Sequence, residues 1–547
     1  MNGTELIARI LKIEGVEWLA CFPNNPLIEA AAREGIRPVL FRHERGAVMA
    51  ADGFSRTSDR QRFGAVLVQS QAGAENAMGG LAQAYADNVP ILMLPQGVAL
   101  DRIGVRPNFA APPQYQGLAK RVETIYTPEQ IPAVMRRAYH ALRNGPSGPV
   151  VVEMPEDVCR RELPEPVDYQ APGAALQVPA KGDLADAARL LLESAKPLIW
   201  AGSGALFAGA GRELTELAEL AGVPVFCTLS GKSGFDERHP LSLGAGSRAM
   251  NLAARAWILE SDLLLAVGAS LTLSPYSHPL GEGKTIIQNS NNPEDINKDE
   301  PVDVGLVGDA RLTLAALIDE VKGRIGEAGR QERRDRVAAE IRAVRAPWEA
   351  EWAPRLRSEE KPISPYRVIH AIDQTLDRER SIVTHDAGAP RDSMIPFYTA
   401  TVPHSYIGWG RTTHLGFGIP LMIGAKLAHP DRFCLNMMGD GAFGMSGLDI
   451  ETSVRAGVPI TTVVLNNGGM ATYPGGFPLA RELYGMSEMG GDYARIAEGM
   501  GATGIVVREA GGIGPALERA QQLNAEGRTA LLDIHTSMES RQSRWDR

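Results

Sequence analysis

The stretch that decides the fold runs from Phe433 to Met470 and reads FCLNMMGDGAFGMSGLDIETSVRAGVPITTVVLNNGGM. Two apolar runs, Phe433–Met438 and Ile460–Leu465, each end in turn residues. A segment with helical spacing lies between them, at about 446–456. This order predicts a strand, a helix and a second strand, which together form one parallel βαβ unit.

Polar residues and glycines follow each strand of this unit. Asp440 stands in Gly-Asp-Gly after the first strand, and Asn467 stands in Asn-Asn-Gly-Gly after the second. Parallel strands bring their carboxyl ends to one edge of the sheet, so these two side chains should meet there. Both offer the oxygen ligands that Mg²⁺ prefers, and Gly441 and Ala442 lead into a helix whose free N–H groups favour phosphate. The stretch predicts a divalent cation beside a diphosphate. The alternative is ordinary turn chemistry, in which these residue types are common.

Length, composition and charge narrow the class of protein. A chain of 547 residues implies three or four domains, and a hydrophobic fraction of 44% is that of a globular protein. The net charge of −9 argues against a nucleic acid or an anionic membrane as the main partner. No apolar run approaches the ~20 residues of a membrane span. The four cysteines form no CxxC pair, so we expect reduced thiols and a cytoplasmic location.

Strands alternate with helices along the chain, which predicts an α/β protein made of doubly wound parallel-sheet domains. The proline-rich segment 162–183 is interpreted as a linker, and the segment 319–360, rich in Arg and Glu, as a solvated connecting helix. These breaks predict three domains, at 1–165, 184–325 and 360–547.

Short motifs in the chain fall in the order of one enzyme family. They include RHERGAVMAADGFSR (42–56), SQAGAEN (70–76), AYADNVPIL (84–92), SDLLLAVGASL (261–271) and HLGFGIPLMIGAK (414–426). With the GDG…NN pair, the chain resembles thiamine diphosphate (ThDP) enzymes of the acetolactate synthase and pyruvate decarboxylase type. The resemblance implies a pyrimidine-binding, a middle and a diphosphate-binding domain. It also implies that ThDP binds between two chains, in a homodimer or homotetramer.

Glu44 is the predicted catalytic residue. In the family, a glutamate in this RHE context hydrogen-bonds N1′ of the aminopyrimidine, favours its protonated form and acidifies the exocyclic amine. The resulting imine can remove the thiazolium C2 proton, and the carbanion attacks a substrate carbonyl. Without the family context, a surface glutamate that caps the following helix is the simpler interpretation.

The resemblance also implies how the cofactor is held. The metal ligands would be the side-chain oxygens of Asp440 and Asn467 and the backbone carbonyl of Gly469. Leu415 matches the bulky apolar residue that bends ThDP, although a plain core leucine is the alternative. The carbonyl of Thr413 would accept a hydrogen bond from the aminopyrimidine amine. The other expected cofactor-binding residues are Gly388, Ala389, Gly439, Gly441, Ala442, Asn467 and Met470.

Candidate substrate-binding residues are polar side chains in or beside the matched segments. Each is equally consistent with an ordinary loop residue. The candidates are Asn24, Asn25, Gln69, His404, His414 and Tyr473.

Some segments depart from the acetolactate synthase pattern. The middle domain lacks the MHG and DDR elements of flavin-binding relatives, and Gly202-Ser203-Gly204 is only a short glycine turn, so the sequence argues against FAD. Asp449 stands where many relatives carry Glu, and 387–390 replaces their Gln and His. The sequence Asn-Asn-Gly-Gly has some likeness to oxalyl-CoA decarboxylases and 2-hydroxyacyl-CoA lyases.

Together these features predict a ThDP- and Mg²⁺-dependent enzyme that breaks or forms the carbon–carbon bond next to a carbonyl. The expected reaction is decarboxylation of a small 2-oxo acid or acyl substrate with carboligation. The alternatives are a CoA-thioester enzyme of the two types above and a catalytically silent ThDP-binding regulatory protein. The arginine-rich tail, 536–547, is interpreted as a frayed surface segment, with an active-site cover as the alternative.

Overall fold

The computed structural model describes residues 1–23, 25–59, 62–163, 168–274, 277, 279–470, 476–539 and 541–544. The backbone forms three six-stranded sheets in succession along the chain. The strands within each sheet are parallel, and helices flank all three sheets. The predicted α/β class, with three doubly wound parallel-sheet units, is therefore confirmed.

The N-terminal sheet is built from short, largely buried strands. Its strands are β1 (Trp18–Cys21), β2 (Arg37–Leu40), β3 (Gly64–Val68), β4 (Ile91–Gly97), β5 (Arg121–Thr124) and β6 (Val150–Pro155). Its helices are α1 (Gly3–Ile13), α2 (Leu27–Arg33), α3 (Glu44–Arg56), α4 (Ala72–Ala86), α5 (Ala111–Tyr115), α6 (Ile131–Arg143) and α7 (Glu156–Cys159). The strand order is β2-β1-β3-β4-β6-β5. Every residue of β3 is buried, as expected where helices cover both faces of a parallel sheet.

The middle sheet has a different strand order. Its strands are β7 (Pro197–Ala201), β8 (Val225–Thr228), β9 (Ser242–Gly246), β10 (Leu263–Val267), β11 (Thr285–Ser290) and β12 (Val304–Val307). Its helices are α8 (Lys181–Glu193), α9 (Ser203–Phe207), α10 (Gly211–Ala221), α11 (Leu252–Glu260) and α12 (Ala310–Ile325). The order is β12-β11-β10-β7-β8-β9. The chain order therefore reverses between β7 and β10, where ligands of such sheets usually bind.

A long helix, α13 (Gln331–Leu356), joins the middle unit to the C-terminal unit. A connecting helix lies within the predicted segment 319–360, but the first residues of that segment belong to α12, and α13 is not simply solvated. Trp348 stacks on Phe397 with ring centroids 5.0 Å apart, and Trp352 meets Tyr366 edge to face at 4.9 Å. The helix therefore anchors the C-terminal unit through one buried aromatic face.

The C-terminal sheet repeats the topology of the first. Its strands are β13 (Ser381–His385), β14 (Tyr406–Ile407), β15 (Phe433–Gly439), β16 (Thr461–Asn466), β17 (Thr503–Val507) and β18 (Ala530–His535). Its helices are α14 (Pro365–Thr375), α15 (Ala389–Met394), α16 (Gly418–Ala428), α17 (Asp440–Ser446), α18 (Asp449–Arg455), α19 (Pro478–Tyr484), α20 (Tyr493–Gly499) and α21 (Ile513–Ala525). The order β14-β13-β15-β16-β18-β17 corresponds strand by strand to that of the N-terminal sheet.

The helix predicted at about 446–456 is wrong in its extent. Helix α17 starts directly after β15, and a second helix, α18, follows it. At the junction the N–H of Ile450 donates to the carbonyl of Gly447, and the N–H of Glu451 donates to the carbonyl of Leu448. These bonds span three residues, whereas those of an α-helix span four. Gly447 weakens the helix at this point because glycine is a poor helix former.

Helices α3 and α16 cross very closely and join the N-terminal unit to the C-terminal unit. A Cβ added at Gly424 would lie 1.9 Å from the carbonyl oxygen of Ala50, and one at Gly53 would lie 2.1 Å from that of Leu421. Only glycine permits this approach of two backbones. The crossing sets where the first residues of α3 lie relative to the C-terminal sheet.

The C-terminal tail is packed against the rest of the chain as far as it is described, which overturns the interpretation of a frayed segment. Ser543 exchanges two hydrogen bonds with Met250, at 3.0 and 2.6 Å, and accepts one from the indole of Trp348 at 2.8 Å. Arg544 forms an ion pair with the buried Asp392. These contacts tie the tail to the middle sheet, to α13 and to α15.

A search of the helices in the described ranges finds none that combines the length and the apolar character needed to cross a membrane.

Candidate active site

The carboxyl ends of β15 and β16 meet as the sequence predicts. The two strands are paired in register up to Gly439 and Leu465, so the residues that follow them are neighbours. The Oδ1 atom of Asp440 accepts the N–H of Gly441 at 3.0 Å, and the Oδ1 atom of Asn467 accepts the N–H of Gly469 at 3.0 Å. The structure therefore brings the two predicted metal ligands to one sheet edge.

The Asp440 carboxylate is suited to a cation. It is buried, and burial raises its pKa, against the opposing effect of nearby N–H groups from Gly441, Gly468 and Gly469. Its Oδ2 atom is buried and has no hydrogen-bond partner among the residues that the structure describes. A carboxylate oxygen left without a partner in this way is a position that a bound cation would satisfy.

Glycines leave room beside this carboxylate for a larger group. A Cβ added at Gly388 or Gly439 would meet nothing within 4 Å, and one at Gly441 would meet the side chain of Met470 at 3.0 Å. Gly388 has φ +87°, a backbone conformation that favours glycine, and Ala389 opens α15 directly after it. The residues present therefore fit a diphosphate held beside a cation. No cluster of three or more His, Cys, Asp and Glu side chains suited to a metal occurs in the described ranges.

Glu44 is the first residue of α3, and its side chain is buried. Its Oε2 atom accepts a hydrogen bond of 3.1 Å from the amide of Asn76, on α4. The cap of α3 is His43, whose Nδ1 atom accepts the N–H of Arg45 at 3.1 Å. Helix capping by the Glu44 side chain, the alternative weighed from sequence, is therefore not what the structure shows. Sequence analysis assigned no role to Asn76, although its position in SQAGAEN could have suggested one.

The start of α3 lies against α17 and α18 of the C-terminal unit within the same chain. The guanidinium of Arg45 donates to the carbonyl of Met445 at 2.9 Å. A Cβ at Gly46 would lie 2.4 Å from Oδ2 of Asp449, whose pKa is raised to about 6, mainly by burial. The N-terminal end of α3, which carries Glu44, is thus close to the end of α17 and the start of α18.

The segment between β14 and α16 completes this junction. Thr413 has φ +54° and Gly416 has φ +76°, both in the left-handed region. Leu415, between them, is partly buried and packs against an apolar cluster that includes residues of α3 and α16. A Cβ at Gly416 would lie 2.8 Å from that of Met445 on α17. The predicted ThDP-bending residue therefore lies on the loop beside the proposed diphosphate site.

Two of the candidate substrate residues lie at this junction. The side chains of Gln69 and Glu44 both lie beside Gly73. A Cβ added there would be 2.6 Å from the Cγ of Gln69 and 3.5 Å from the Oε1 of Glu44. The ring of His414 lies 3.4 Å from the corresponding position at Gly79 on α4. Burial, followed by the charge of Arg45, lowers the pKa of His414.

Two of the remaining candidates, Asn25 and His404, have side chains that form hydrogen bonds with other parts of the protein. Asn25 is buried and uses its amide to donate to the carbonyls of Val68 and Leu94, at 3.0 and 3.3 Å. His404 precedes β14, on the opposite side of the sheet from its carboxyl edge, and its ring hydrogen-bonds Asp59. The predictions for Asn24 and Tyr473 lie outside the described residues.

A separate cavity of about 320 Å³ lies at the carboxyl ends of the middle strands. It is lined by Gly202, Ser203 and Gly204, the glycine turn noted in the sequence, and by Trp409 and Arg411 of the C-terminal unit. Its volume is that of a small-molecule site. A Cβ at Gly202 would lie 2.3 Å from a backbone oxygen of Gly268, so this glycine also serves close packing at the start of α9.

The geometry described above agrees with comparisons to known proteins. Residues 1–117 match the N-terminal TPP binding domain of thiamine pyrophosphate enzymes, residues 184–317 match their central domain, and residues 386–534 match their C-terminal TPP binding domain. Thiamine pyrophosphate is another name for ThDP. The three matches fall on the three sheets in the same order along the chain, although the first ends before β5 and the third begins just after β13.

Similar full-length proteins carry one name. The chain is 30% identical to a probable acetolactate synthase large subunit of Methanocaldococcus jannaschii, over 85% of this chain and 80% of the relative. It is 27% identical to the acetolactate synthase isozyme 3 large subunit of Escherichia coli, over 98% and 94% of the two chains. A large subunit from Haemophilus influenzae is also 27% identical, over 93% and 90%.

The fold and the family matches define a ThDP-dependent enzyme. The chain belongs to the thiamine pyrophosphate enzyme family and is of the acetolactate synthase type.

Proposed function

We propose that this enzyme decarboxylates a small 2-oxo acid and joins the remaining fragment to a second carbonyl compound, as an acetolactate synthase does. The observation that carries the proposal is the buried Glu44 carboxylate, oriented by Asn76 at the junction with the C-terminal unit. The names of the full-length relatives support the same reaction class.

Each residue of the site has a distinct part in this proposal. Asp440, Asn467 and the carbonyl of Gly469 would hold Mg²⁺, a hard cation that takes oxygen ligands. When bound, ThDP supplies a carbon nucleophile that attacks the substrate carbonyl. Glu44 would share a proton with the pyrimidine ring of bound ThDP, which is the proton-transfer role that a buried, oriented carboxylate can fill.

The surroundings of Glu44 define the substrate side. Leu415 would support the bent cofactor, and the carbonyl of Thr413 would accept from its amine. Gln69 and His414, which lie near Glu44 and Arg45, are the side chains proposed to contact substrate. Both are uncharged at neutral pH when the His414 pKa is lowered, so they offer hydrogen bonds rather than a strong counter-charge to a 2-oxo acid.

Further parts of the proposal concern the assembly. We propose domain boundaries at 1–165, 184–325 and 360–547, and a homodimer or homotetramer as the working unit. A cytoplasmic location is proposed because all four cysteines are buried free thiols. FAD is left out of the proposed cofactors, since the middle domain lacks the sequence elements of flavin-binding relatives.

The test is a titration of the purified protein with ThDP, Mg²⁺ and a panel of 2-oxo acids that includes pyruvate. We expect saturable ThDP binding, release of CO₂ and a carboligation product. If ThDP binds but no 2-oxo acid releases CO₂ with any acceptor, the proposal fails and a silent binding protein is favoured. Turnover of oxalyl-CoA or a 2-hydroxyacyl-CoA alone would instead favour the CoA-thioester alternative.

A further inference from the structure

The loop between β14 and α16 has an unusual backbone. Gly410 has φ +120°, Thr413 has φ +54° and Gly416 has φ +76°. A β-branched residue in the left-handed region is strained, so this shape persists only if its surroundings hold it. Because the loop carries Thr413 and Leu415, whatever holds it also sets the positions of both groups relative to the cofactor.

Asp87, at the end of α4 in the N-terminal unit, contacts the beginning of this loop. Its Oδ2 atom accepts the N–H of Gly410 at 3.2 Å, and its Oδ1 atom accepts the N–H of Arg411 at 3.3 Å. The same carboxylate accepts from the guanidinium of Arg56 and from the amide of Gln83, both at 2.8 Å. Asp87 is buried, and both of its oxygens face donors.

Gln83, one turn earlier on α4, contacts the middle of the loop. Its Oε1 atom accepts the hydroxyl of Thr412 at 2.8 Å and lies 3.5 Å from the N–H of His414. Gln83 is completely buried, and its amide is fixed by the bond to Asp87. One end of a helix in the N-terminal unit therefore holds residues 410, 411, 412 and 414 of a loop that belongs to the C-terminal unit.

Asp386 holds the other end of the loop from within the C-terminal unit. Its carboxylate accepts the N–H groups of Gly416 at 3.0 Å, Gly418 at 2.9 Å and Ala387 at 2.8 Å. It is completely buried at the end of β13. Gly416 and Gly418 donate through backbone N–H groups of the loop, which point at the carboxylate only in this loop conformation, whereas Ala387 is simply the next residue in the chain.

We propose that Asp87 and Asp386 are positioning residues that clamp the loop 410–418 from two domains, and so present Thr413 and Leu415 in the shape that ThDP requires. This inference rests on the proposed function for the roles of Thr413 and Leu415. It adds a dependence of the cofactor site on a buried network of the N-terminal unit. Neither carboxylate contacts the substrate in this proposal, and both act through the loop.

An asparagine cannot replace Asp87 without loss. Its NH₂ group would face either the N–H of Arg411 or the donors of Arg56 and Gln83, so at least one buried donor would be left without an acceptor. Asp52 offers a matched control, because it pairs with the same Arg56 guanidinium but does not contact the loop. An Asp52→Asn variant therefore disturbs the same buried network and leaves the clamp in place.

The first experiment is hydrogen exchange, followed by mass spectrometry, on the protein without cofactor. In Asp87→Asn we expect the peptide that spans 410–418 to exchange at least about tenfold faster than in the wild type, because a lost buried hydrogen bond lowers the local opening free energy. In Asp52→Asn the same peptide should stay within about twofold of the wild type. Equal exchange in both variants would overturn the proposal.

The second experiment is calorimetric titration of ThDP in the presence of Mg²⁺. We expect Asp87→Asn and Asp386→Asn to bind at least about tenfold more weakly than the wild type, and Asp52→Asn to bind within about twofold. Wild-type affinity in both loop variants would overturn the clamp. If the wild type itself binds no ThDP, the proposed function fails, while the exchange experiment still decides whether the loop is clamped.

Gln83→Met serves as a further test in case the Asp→Asn variants, which remove a buried charge, do not fold. It removes the acceptor for Thr412 without changing the buried charge. Faster exchange of 410–418 in this variant, with an unchanged circular dichroism spectrum, would support the clamp. Unchanged exchange in Gln83→Met would contradict it.

Discussion

At the scale of single residues, the site depends on a few side chains whose polar atoms are held by hydrogen bonds before any ligand binds. Asn76 donates to Glu44, and Asn467 accepts from the N–H of Gly469, so neither side chain has to be ordered when a ligand arrives. The Oδ2 atom of Asp440 is the exception, since it has no partner within the described part of the chain. Groups that are already ordered reduce the entropic cost of binding a ligand.

Glu44→Gln should remove the proton-sharing group while preserving its size. We expect turnover of the best 2-oxo acid to fall by ~10²–10⁴-fold, the range for loss of a positioned proton-transfer group. The melting temperature should stay close to that of the wild type, because the amide can still meet Asn76. The matched control is Glu75→Gln, an exposed glutamate in the first turn of α4, which should keep full turnover. Near-normal turnover in Glu44→Gln would remove Glu44 from the catalytic assignment.

Asp440→Asn should weaken the site for the cation. We expect the Mg²⁺ concentration needed for half-maximal ThDP binding to rise by about tenfold or more, since a neutral oxygen attracts a divalent cation less strongly. The measurement is a Mg²⁺ titration followed by ThDP binding. Asp431→Asn, an exposed residue before the other end of β15, is the control and should leave the titration unchanged. An unaltered Mg²⁺ requirement in Asp440→Asn would contradict the ligand assignment.

At the scale of secondary structure, the crossing of α3 and α16 determines how the two cofactor-binding units face each other. Both helices contain family motifs, but nothing in those motifs predicts that the two helices meet. Gly53 and Gly424 allow the two backbones to approach closely. The first turn of α3 then lies beside α18. A change in this crossing would shift Glu44 relative to the turn after β15.

Gly424→Ala should destabilise the protein by several kcal/mol, because the new Cβ would lie 1.9 Å from a backbone oxygen that cannot move aside easily. We expect a clear fall in the melting temperature, measured by circular dichroism. Gly323→Ala in α12 is the control, since a Cβ there meets nothing within 4 Å. That variant should be unchanged or stabilised by ~0.5–1 kcal/mol, as alanine is the better helix former. Equal melting temperatures for both variants would contradict a tight crossing.

The contact between α3 and α18 should also depend on pH. Burial raises the pKa of Asp449 to about 6, against the N–H of Arg42, the hydroxyl of Thr452 and the charge of Arg45, which lower it. Between pH ~4 and about 6 the folded state therefore keeps this proton, whereas the unfolded chain has released it. The stability contributed by this group is fully present below pH ~4 and is lost as the pH rises through about 6.

Asp449→Asn removes this titration. We expect the melting temperature of the variant, relative to the wild type, to be higher at pH 7 than at pH 4.5. Melting scans at the two pH values measure the difference. The exposed control Asp431→Asn should show the same difference at both values. A relative melting temperature that does not change with pH, or that changes in the opposite sense, would contradict the assignment.

At the scale of the whole molecule, the three units are joined by more than the chain that links them. Helix α13 buries Trp348 and Trp352 against the C-terminal unit, and the tail closes back onto the middle unit at Met250. The cavity of the middle unit is lined in part by Trp409 and Arg411, which belong to the C-terminal unit. Movement of one unit therefore requires these contacts to break.

Ser543→Ala should loosen this connection. The indole of Trp348 and the carbonyl of Met250 would both lose a partner, at a cost of ~1–3 kcal/mol for each buried group left unpaired. We expect a lower melting temperature and faster proteolysis between the middle and C-terminal units. Ser537→Ala, on the same tail but paired with the exposed Glu360, serves as control and should behave as the wild type. Identical proteolysis of both variants would show that the tail does not hold the units together.

The fold could be predicted to a large extent because its evidence is local. Apolar runs that end in Gly-Asp-Gly or Asn-Asn-Gly-Gly indicate parallel strands wherever they occur, and the order of chain segments then decides which strand ends are neighbours. The extent of the helix after Gly439 could not be read in this way, because a helix boundary depends on hydrogen bonds that the apolar pattern does not reveal.

By itself, the sequence determined the class of fold, the adjacency of Asp440 and Asn467, and the family to which the chain belongs. These follow from residues close together in the chain, whose geometry is dictated by the βαβ unit. The tertiary structure alone decided that Asn76 orients Glu44, that Asp87 holds the loop with Thr413, and that the tail is packed. Such contacts join segments that are separated in sequence, so they exist only once the helices, the loops and the tail have packed together.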